Sequence, residues 1–130
     1  MSYKAELEFQ KRFYKVLDFV YQVGRNTDES GRVASDPGGA FIHLVVEATE
    51  HTAIIESMVN NKFKPTEGKI IFHKSNAEGI LTTLSWENGF VTWHQVELSL
   101  NSEHSMKIRF NVHAETIRYG ESVFNGKWPE

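Results

Sequence analysis

Apolar and polar residues alternate with a period of two along most of this chain, which is the pattern of half-buried β-strands. The first segment is apolar at its odd positions: Tyr3, Ala5, Leu7 and Phe9. A second alternating segment runs from Phe13 to Val23, after the polar stretch Gln10-Lys11-Arg12. The two segments and the polar stretch between them predict a β-hairpin at the start of the chain.

A third alternating segment, from Ala40 to Ala48, has two faces of different character. One face is apolar throughout: Ala40, Ile42, Leu44, Val46 and Ala48. The other face is mixed and consists of Phe41, His43, Val45 and Glu47. Because a mixed face suggests burial against something else, we predict that these four residues contribute to a subunit interface.

The rest of the chain predicts one helix and several more strands. Between Thr52 and Asn61 the apolar residues fall at helical spacing, with Thr52 placed to cap the helix. Strands are predicted at 69–74, at 80–86, at 90–100 and from Met106 onward, with turns at Ser75-Asn76, at Asn88-Gly89 and at 101–104. The apolar phase shifts around His94-Gln95, which predicts a β-bulge. Together these elements predict a mainly β fold, a small antiparallel barrel or a sandwich.

The polar connection from Arg25 to Gly39 is too long for a turn. Connections of about 12 to 15 residues without secondary structure are uncommon in compact domains and are usually functional or disordered. Turn-forming residues stand near both ends, Thr27-Asp28 and Asp36-Pro37-Gly38-Gly39, and the apolar Val33 lies between them. We therefore interpret this segment as an ordered arm.

Size and charge exclude several classes of function. The 130 residues predict a single domain, 1–130, and the net charge of −3 provides no basic field for a nucleic acid. The chain has no cysteine for a disulfide, a thiolate metal site or a nucleophile. The N-terminus lacks the apolar core of a secretory signal, and no apolar run is long enough to span a membrane, so we expect a soluble protein that starts in the cytoplasm.

No pattern in the sequence predicts catalysis or a cofactor. The six histidines are scattered and lack metal-binding spacing, so we predict no metal site. Glu47, Glu50 and His51 lie close together where a strand meets the helix, but polar residues at a helix start are common without a catalytic role. The glycines at 31, 38 and 39 precede a strand and have acidic neighbours, which favours turns over phosphate binding.

Five stretches resemble the haemolysin-coregulated protein family, the tube proteins of type VI secretion systems, and most of all its gut-bacterial branch. They are Val16-Leu17-Asp18-Phe19-Val20-Tyr21; Thr27-Asp28-Glu29-Ser30-Gly31-Arg32 with Pro37-Gly38-Gly39; Ile42-His43-Leu44-Val45-Val46-Glu47-Ala48-Thr49; Gly68-Lys69-Ile70-Ile71-Phe72-His73-Lys74; and 106–128. The arm sequence, followed by the Val-Glu-x-Thr strand end, is the most specific of them.

The resemblance implies a closed antiparallel β-barrel with one short helix and an extended loop. It further implies six-membered rings that stack into a hollow tube, which a contractile sheath propels and which carries a spike and effectors. Export would then occur through type VI secretion without a signal peptide. In this family the arm reaches toward the next ring, which makes these residues the expected stacking elements: Thr27, Asp28, Gly31, Arg32, Asp36, Pro37, Gly38 and Gly39.

Two other functions remain open at this stage. A small-ligand-binding β-barrel would need an apolar cavity, whereas Phe9, Phe19, Trp86, Trp93 and Phe110 are bulky enough to fill a small barrel. An enzyme that uses Glu47 and His51 comes third. The hypothesis that we favour is a non-enzymatic, ring-forming structural protein without cofactors, nucleic acid or membrane partners.

Overall fold

The computed structural model describes residues 4–74, 79–101 and 106–129, in which seven strands and one helix are found. The elements are β1 (Lys4–Phe9), β2 (Arg12–Gly24), β3 (Gly38–Glu47), α1 (Ala53–Val59), β4 (Thr66–His73), β5 (Ile80–Leu98), β6 (Met106–Tyr119) and β7 (Ser122–Asn125). Gln10 and Lys11 both have positive φ, as the tight turn between β1 and β2 requires. The hairpin predicted from the first two alternating segments is confirmed.

The strands close into an antiparallel barrel. They follow the order β3-β2-β1-β4-β5-β6-β7, and an additional pairing of β3 with β6 joins the two sides of the sheet. That closing ladder runs from Ile42, opposite Val112, to Glu47, opposite Lys107. The strand β7 pairs with the end of β6, where Thr116 faces Asn125. The predicted mainly β fold is therefore present as a closed barrel.

Apolar side chains fill the inside of the barrel. The largest buried side chain is Trp86, and Phe9 lies 6.1 Å from it between ring centroids. Two glycines leave room for the indole: a Cβ on Gly68 would come within 2.3 Å of it and a Cβ on Gly89 within 2.5 Å. Of the five aromatic residues expected to fill the interior, Trp93 does not, because its side chain is 41% exposed.

The Asn88-Gly89 pair does not form the predicted hairpin. The strand β5 continues through it from Ile80 to Leu98, and only Asn88 of the pair has positive φ. A type I′ turn would need positive φ at both central residues. The pair bends the strand instead, because Gly89 packs against Trp86 and the Gly89 carbonyl accepts a hydrogen bond from the Thr66 hydroxyl (2.9 Å).

Other local predictions need smaller corrections. The β5 bulge lies between Val91 and Trp93, earlier than the predicted His94-Gln95. Thr52 stands at the predicted N-cap position of α1, but its side chain makes no cap bond, since its hydroxyl donates to the Glu56 carboxylate (2.6 Å). The turn predicted at Ser75-Asn76 lies outside the described residues, as does the turn at 101–104 except for Asn101. Within the described residues no helix is long and apolar enough to cross a membrane.

Candidate functional site

The arm between β2 and β3 forms a small hairpin of its own. Thr27 and Val33 form an isolated antiparallel bridge. Beside it, the Ala34 amide donates to the Asn26 carbonyl and the Asp28 amide donates to the Arg32 carbonyl, with 2.8 Å between donor and acceptor in both bonds. The arm is therefore defined by backbone hydrogen bonds within itself.

The Asp28 carboxylate fixes the tip of the arm. Its Oδ1 accepts hydrogen bonds from the backbone amides of Ser30 and Arg32, with a donor–acceptor distance of 2.9 Å in each. It also accepts one from the Ser30 hydroxyl at 3.0 Å. These bonds lower the pKa of Asp28 below its ordinary value. The bond from the Arg32 amide has the largest effect and the bond from the Ser30 hydroxyl the next largest. Gly31 has a φ of +87°, which a residue with a side chain rarely adopts.

The eight predicted stacking residues occupy two parts of this arm. Thr27, Asp28, Gly31 and Arg32 lie in the hairpin. Asp36 and Pro37 lead back to the barrel, where Gly38 pairs with Gly24 and Gly39 follows with a φ of +63°. All eight are exposed. The structure therefore brings the predicted residues together on one exposed projection, and their stacking role stays a prediction.

The predicted interface on β3 lies on the outer face of the barrel. Phe41 stacks on His113 with 5.8 Å between ring centroids, and His43 stacks on Trp93 with 6.1 Å between centroids. The His43 Nδ1 lies 2.6 Å from the Asn111 amide oxygen. These partners come from β5 and β6, so the outer face is an aromatic and polar surface that crosses three strands.

Val45 and Glu47 differ from the other two predicted interface residues. Val45 is only 3% exposed, since it lies opposite Asp18 on one side and Arg109 on the other. It therefore has little surface to offer a neighbour. Glu47, at the end of β3, is half-buried opposite Lys107. Their part in an interface stays a prediction, and Val45 is the weakest member of the set.

Two strands have edges that no described residue pairs with. Past Gly89 the pairing of β5 with β4 ends, and the segment from Phe90 to Leu98 pairs only with β6. Past Lys15 the strand β2 pairs only with β3. Unpaired N–H and C=O groups along a strand can accept a further strand. The sequence analysis predicted neither edge. The shift in the alternation of apolar residues near Trp93 was the one sequence feature that could have indicated the edge of β5.

A short C-terminal strap, Gly126 to Pro129, lies against the barrel and was also missed. The Glu115 carboxylate accepts bonds from the Trp128 amide (2.8 Å) and the Asn88 side-chain amide (3.0 Å). The Trp128 ring stacks on Phe90, with 6.1 Å between ring centroids. The strap thus joins the bend of β5 to β6 on the outer face.

The candidate catalytic group at the start of the helix is an exposed polar network. The Arg12 guanidinium lies 3.1 Å from His51 Nε2, and the Glu50 carboxylate lies 3.8 Å from the same nitrogen. A guanidinium can only donate hydrogen bonds, so His51 Nε2 is the acceptor in this contact. Among the described residues, no three metal-ligating side chains are close enough together to hold a metal ion.

Comparison with known proteins identifies relatives over the whole chain. The family profile described as "Hemolysin coregulated protein Hcp (TssD)" matches residues 1–129. The structure of Hcp1 from Flavobacterium johnsoniae is similar, with a TM-score of 0.87 and 28% identity, covering 94% of this chain and 98% of that one. None of the curated proteins compared with the chain matches it.

More distant structures share the fold. Hcp1 from Salmonella typhimurium has a TM-score of 0.69 and 12% identity, covering 90% of this chain and 85% of that one. A chain of the PVC sheath-tube complex, from an extracellular contractile injection system, has a TM-score of 0.54 and 17% identity, covering 92% and 89%. The gut-bacterial branch stays a prediction, since identity is higher with the Flavobacterium protein than with the Salmonella protein.

Proposed function

The chain belongs to the haemolysin-coregulated protein family (Hcp, TssD), the tube proteins of type VI secretion systems, and we propose that it forms six-membered rings that stack into a hollow tube. The observation that carries the proposal is the family match over residues 1–129. The 28% identity with Hcp1 over nearly the full length of both chains supports it. In this role the protein acts mechanically and has no catalytic residue.

The open strand edges support ring formation. The edge of β2 past Lys15 and the edge of β5 past Gly89 belong to different sides of the barrel wall. If β2 of one subunit adds to β5 of the next, each contact uses two different surfaces. Such head-to-tail contacts close into a ring when the rotation between subunits permits it.

Exposed apolar side chains near the β5 edge add to this support. Trp93, Val96 and Leu98 are all exposed on this strand, and Val20 is exposed on β2. Apolar side chains concentrated beside an open strand edge mark a site of association. Phe41 and His43 lie on the same outer face as Trp93 and extend the proposed interface onto β3.

The arm is the proposed contact between rings. Its eight predicted residues are exposed and its tip is held by local bonds, so ordering the arm on contact costs little entropy. A tube built in this way would lie inside a contractile sheath and carry a spike and effectors. We propose that the protein is in the cytoplasm before assembly and outside the cell after secretion, and that it has no nucleic acid or membrane partner.

Light scattering and electron microscopy of the purified protein test the proposal. We expect a mass near six times that of one chain and rings with an open centre. A variant that lacks residues 28–32 should still form rings but should no longer form tubes. A protein that remains monomeric at high concentration would contradict the ring, and unchanged tubes in the shortened variant would contradict the role of the arm.

The small-ligand-binding barrel is not favoured by the structure. Its interior would have to accommodate a ligand, yet Trp86, Phe9 and Phe110 are buried there among aliphatic side chains. Titration of the folded protein with apolar dyes separates the two functions. A ligand-binding barrel should bind a dye in its interior, whereas a filled barrel should not.

A further inference from the structure

The arm and a groove lie at opposite ends of the barrel. The strand β2 ends at Gly24 and β3 begins at Gly38, so the arm projects from the end where these two residues pair. The β1–β2 turn at Gln10-Lys11 and the loop from Asn60 to Pro65 lie at the other end, where β4 begins. Stacking barrels in one direction would therefore bring the arm of one copy to the groove end of the next.

The groove has a volume of about 950 Å³ and is bounded by that turn, that loop and the bend of β5. Three lysines line it: Lys11, Lys64 and Lys69. All three are exposed, and among the described residues none of them forms an ion pair. Three glutamates line it as well: Glu67 is exposed, Glu8 is half-buried, and Glu87 pairs with Arg118 at 3.3 Å. The groove thus offers unpaired charges of both signs.

The tip of the arm carries charges that complement those of the groove. The Asp28 Oδ1 is occupied by bonds within the tip, whereas the exposed side chain of the neighbouring Glu29 takes no part in those bonds. Glu29 and the Arg32 guanidinium are both exposed and form no ion pair with any described residue. An acid and a base stand three residues apart on a fixed turn.

We propose that the groove receives the arm of a second copy of this chain, with Glu29 against the lysines and Arg32 against Glu67. This inference rests on the proposed function and adds the receiving surface, which the arm alone does not define. The occupant is a second copy because the two charged surfaces match and lie at opposite ends of the same barrel. Contacts between exposed charges are weak one by one, so several per ring would be needed to hold two rings.

A charge exchange tests the pairing. We expect Glu29→Lys and Lys64→Glu each to raise the protein concentration required for tube formation at low salt, by about tenfold. The tenfold figure follows because one exposed ion pair changes a binding constant by about 1.5- to 5-fold, and several such pairs in one ring would act together. The double variant should recover most of the loss. Glu6→Lys, which makes the same charge change on an exposed position of β1 between the two ends of the barrel, should leave tube formation unchanged.

Cross-linking provides a second test, since the chain contains no cysteine. In assembled tubes treated with a mild oxidant, Glu29→Cys combined with Lys11→Cys or Lys64→Cys should give a ladder of disulfide-linked chains on a non-reducing gel. Lys74→Cys is the matched control, because Lys74 follows β4 at the arm end of the barrel. It should give no ladder with Glu29→Cys.

The outcomes separate this inference from the proposed function. Wild-type protein that forms no tubes overturns both. Normal tubes in the single variants, or a loss that the double variant does not recover, together with no ladder from either groove cysteine, overturn the groove alone. Loss in both single variants, recovery in the double variant and a ladder from a groove cysteine establish the pairing.

Discussion

The barrel around Trp86 and the arm around Asp28 are ordered by different physical means. Trp86 is 1% exposed and lies among aromatic and aliphatic side chains from several strands. The Asp28 tip is exposed, and its order comes from hydrogen bonds within five consecutive residues. Burial of apolar surface stabilises the first region, whereas local hydrogen bonds define the second.

The difference indicates that the two regions can change independently. Residues without shared contacts usually have additive effects on stability. Substitutions in the arm should therefore alter assembly without loss of the barrel, and substitutions at the centre of the barrel should reduce the stability of the whole chain. Four substitutions, from the largest expected effect to the smallest, test this separation.

Trp86→Ala should have the largest effect on the barrel. Removal of a buried aromatic side chain usually lowers the free energy of unfolding by about 3–5 kcal/mol. Urea denaturation followed by circular dichroism measures the change. Trp93→Ala is the matched control, and since its side chain is 41% exposed the loss should be about 1 kcal/mol or less. Equal losses in the two variants would show that Trp86 is not the centre of the core.

Gly68→Ala should lower the free energy of unfolding by about 1–3 kcal/mol, because the added Cβ would overlap the Trp86 indole. Gly24→Ala is the control, since no atom lies within 4 Å of the Cβ position there. Thermal unfolding of both variants gives the comparison. If Gly68→Ala were as stable as Gly24→Ala, the tight packing of glycine on the indole would be contradicted.

Glu115→Ala should have an intermediate effect, confined to the strap. It removes the acceptor for the Trp128 and Asn88 amides, and we expect a loss of about 1 kcal/mol. Trp128 should become more accessible to acrylamide quenching. Glu121→Ala, on an exposed turn, should change neither stability nor quenching. Quenching that stays at the wild-type level in Glu115→Ala would show that the strap is held by stacking alone.

Asp28→Ala should leave the unfolding transition unchanged and loosen only the arm. The amides of Ser30 and Arg32 lose their acceptor, so their hydrogen exchange should become faster. Glu29→Ala, which removes a neighbouring carboxylate without bonds inside the tip, is the control. A lower unfolding temperature in Asp28→Ala would show that the arm and the barrel are coupled.

The same carboxylate predicts how the arm responds to pH. The pKa of Asp28 is lower in the ordered arm than its ordinary value, so the charged form favours order. The contribution is complete above the ordinary aspartate pKa and is lost as the pH falls through the lowered value. The protection of the arm amides, taken relative to their intrinsic exchange rate at each pH, should therefore persist at neutral pH and fall only in acid, and Asp28→Asn should remove this pH dependence.

The sequence predicted the elements whose pattern is local. The alternation of Leu7, Phe9, Ile42 and Leu44 placed them correctly on the inner face, and all four are fully buried. The closure of β3 on β6 could not be read from that pattern. It depends on which strands meet in space, and here the family resemblance supplied the expectation.

Predictions failed where a distant contact decided the outcome. Asn88-Gly89 is a hairpin signal by itself, but the bonds from the Thr66 hydroxyl to the Gly89 carbonyl and from Asn88 to Glu115 hold the pair within a continuous strand. Val45 alternates like an exposed residue, yet its neighbours on both sides leave it buried. For the arm, local turn chemistry predicted an ordered segment but not the hairpin within it, and the groove that we assign as its receptor depends on the whole topology.

The continuous strand β5 has a consequence for how the protein bears force. Leu84 to Gly89 is fixed by ladders on both sides and by Trp86, while Phe90 to Leu98 pairs, among the described residues, with β6 alone. A pull on the open edge of that second segment, along the strand, would load the hydrogen bonds of both segments in shear, many at once. A tube driven forward by contraction would then pass the load from each open edge directly into the interior of its own barrel.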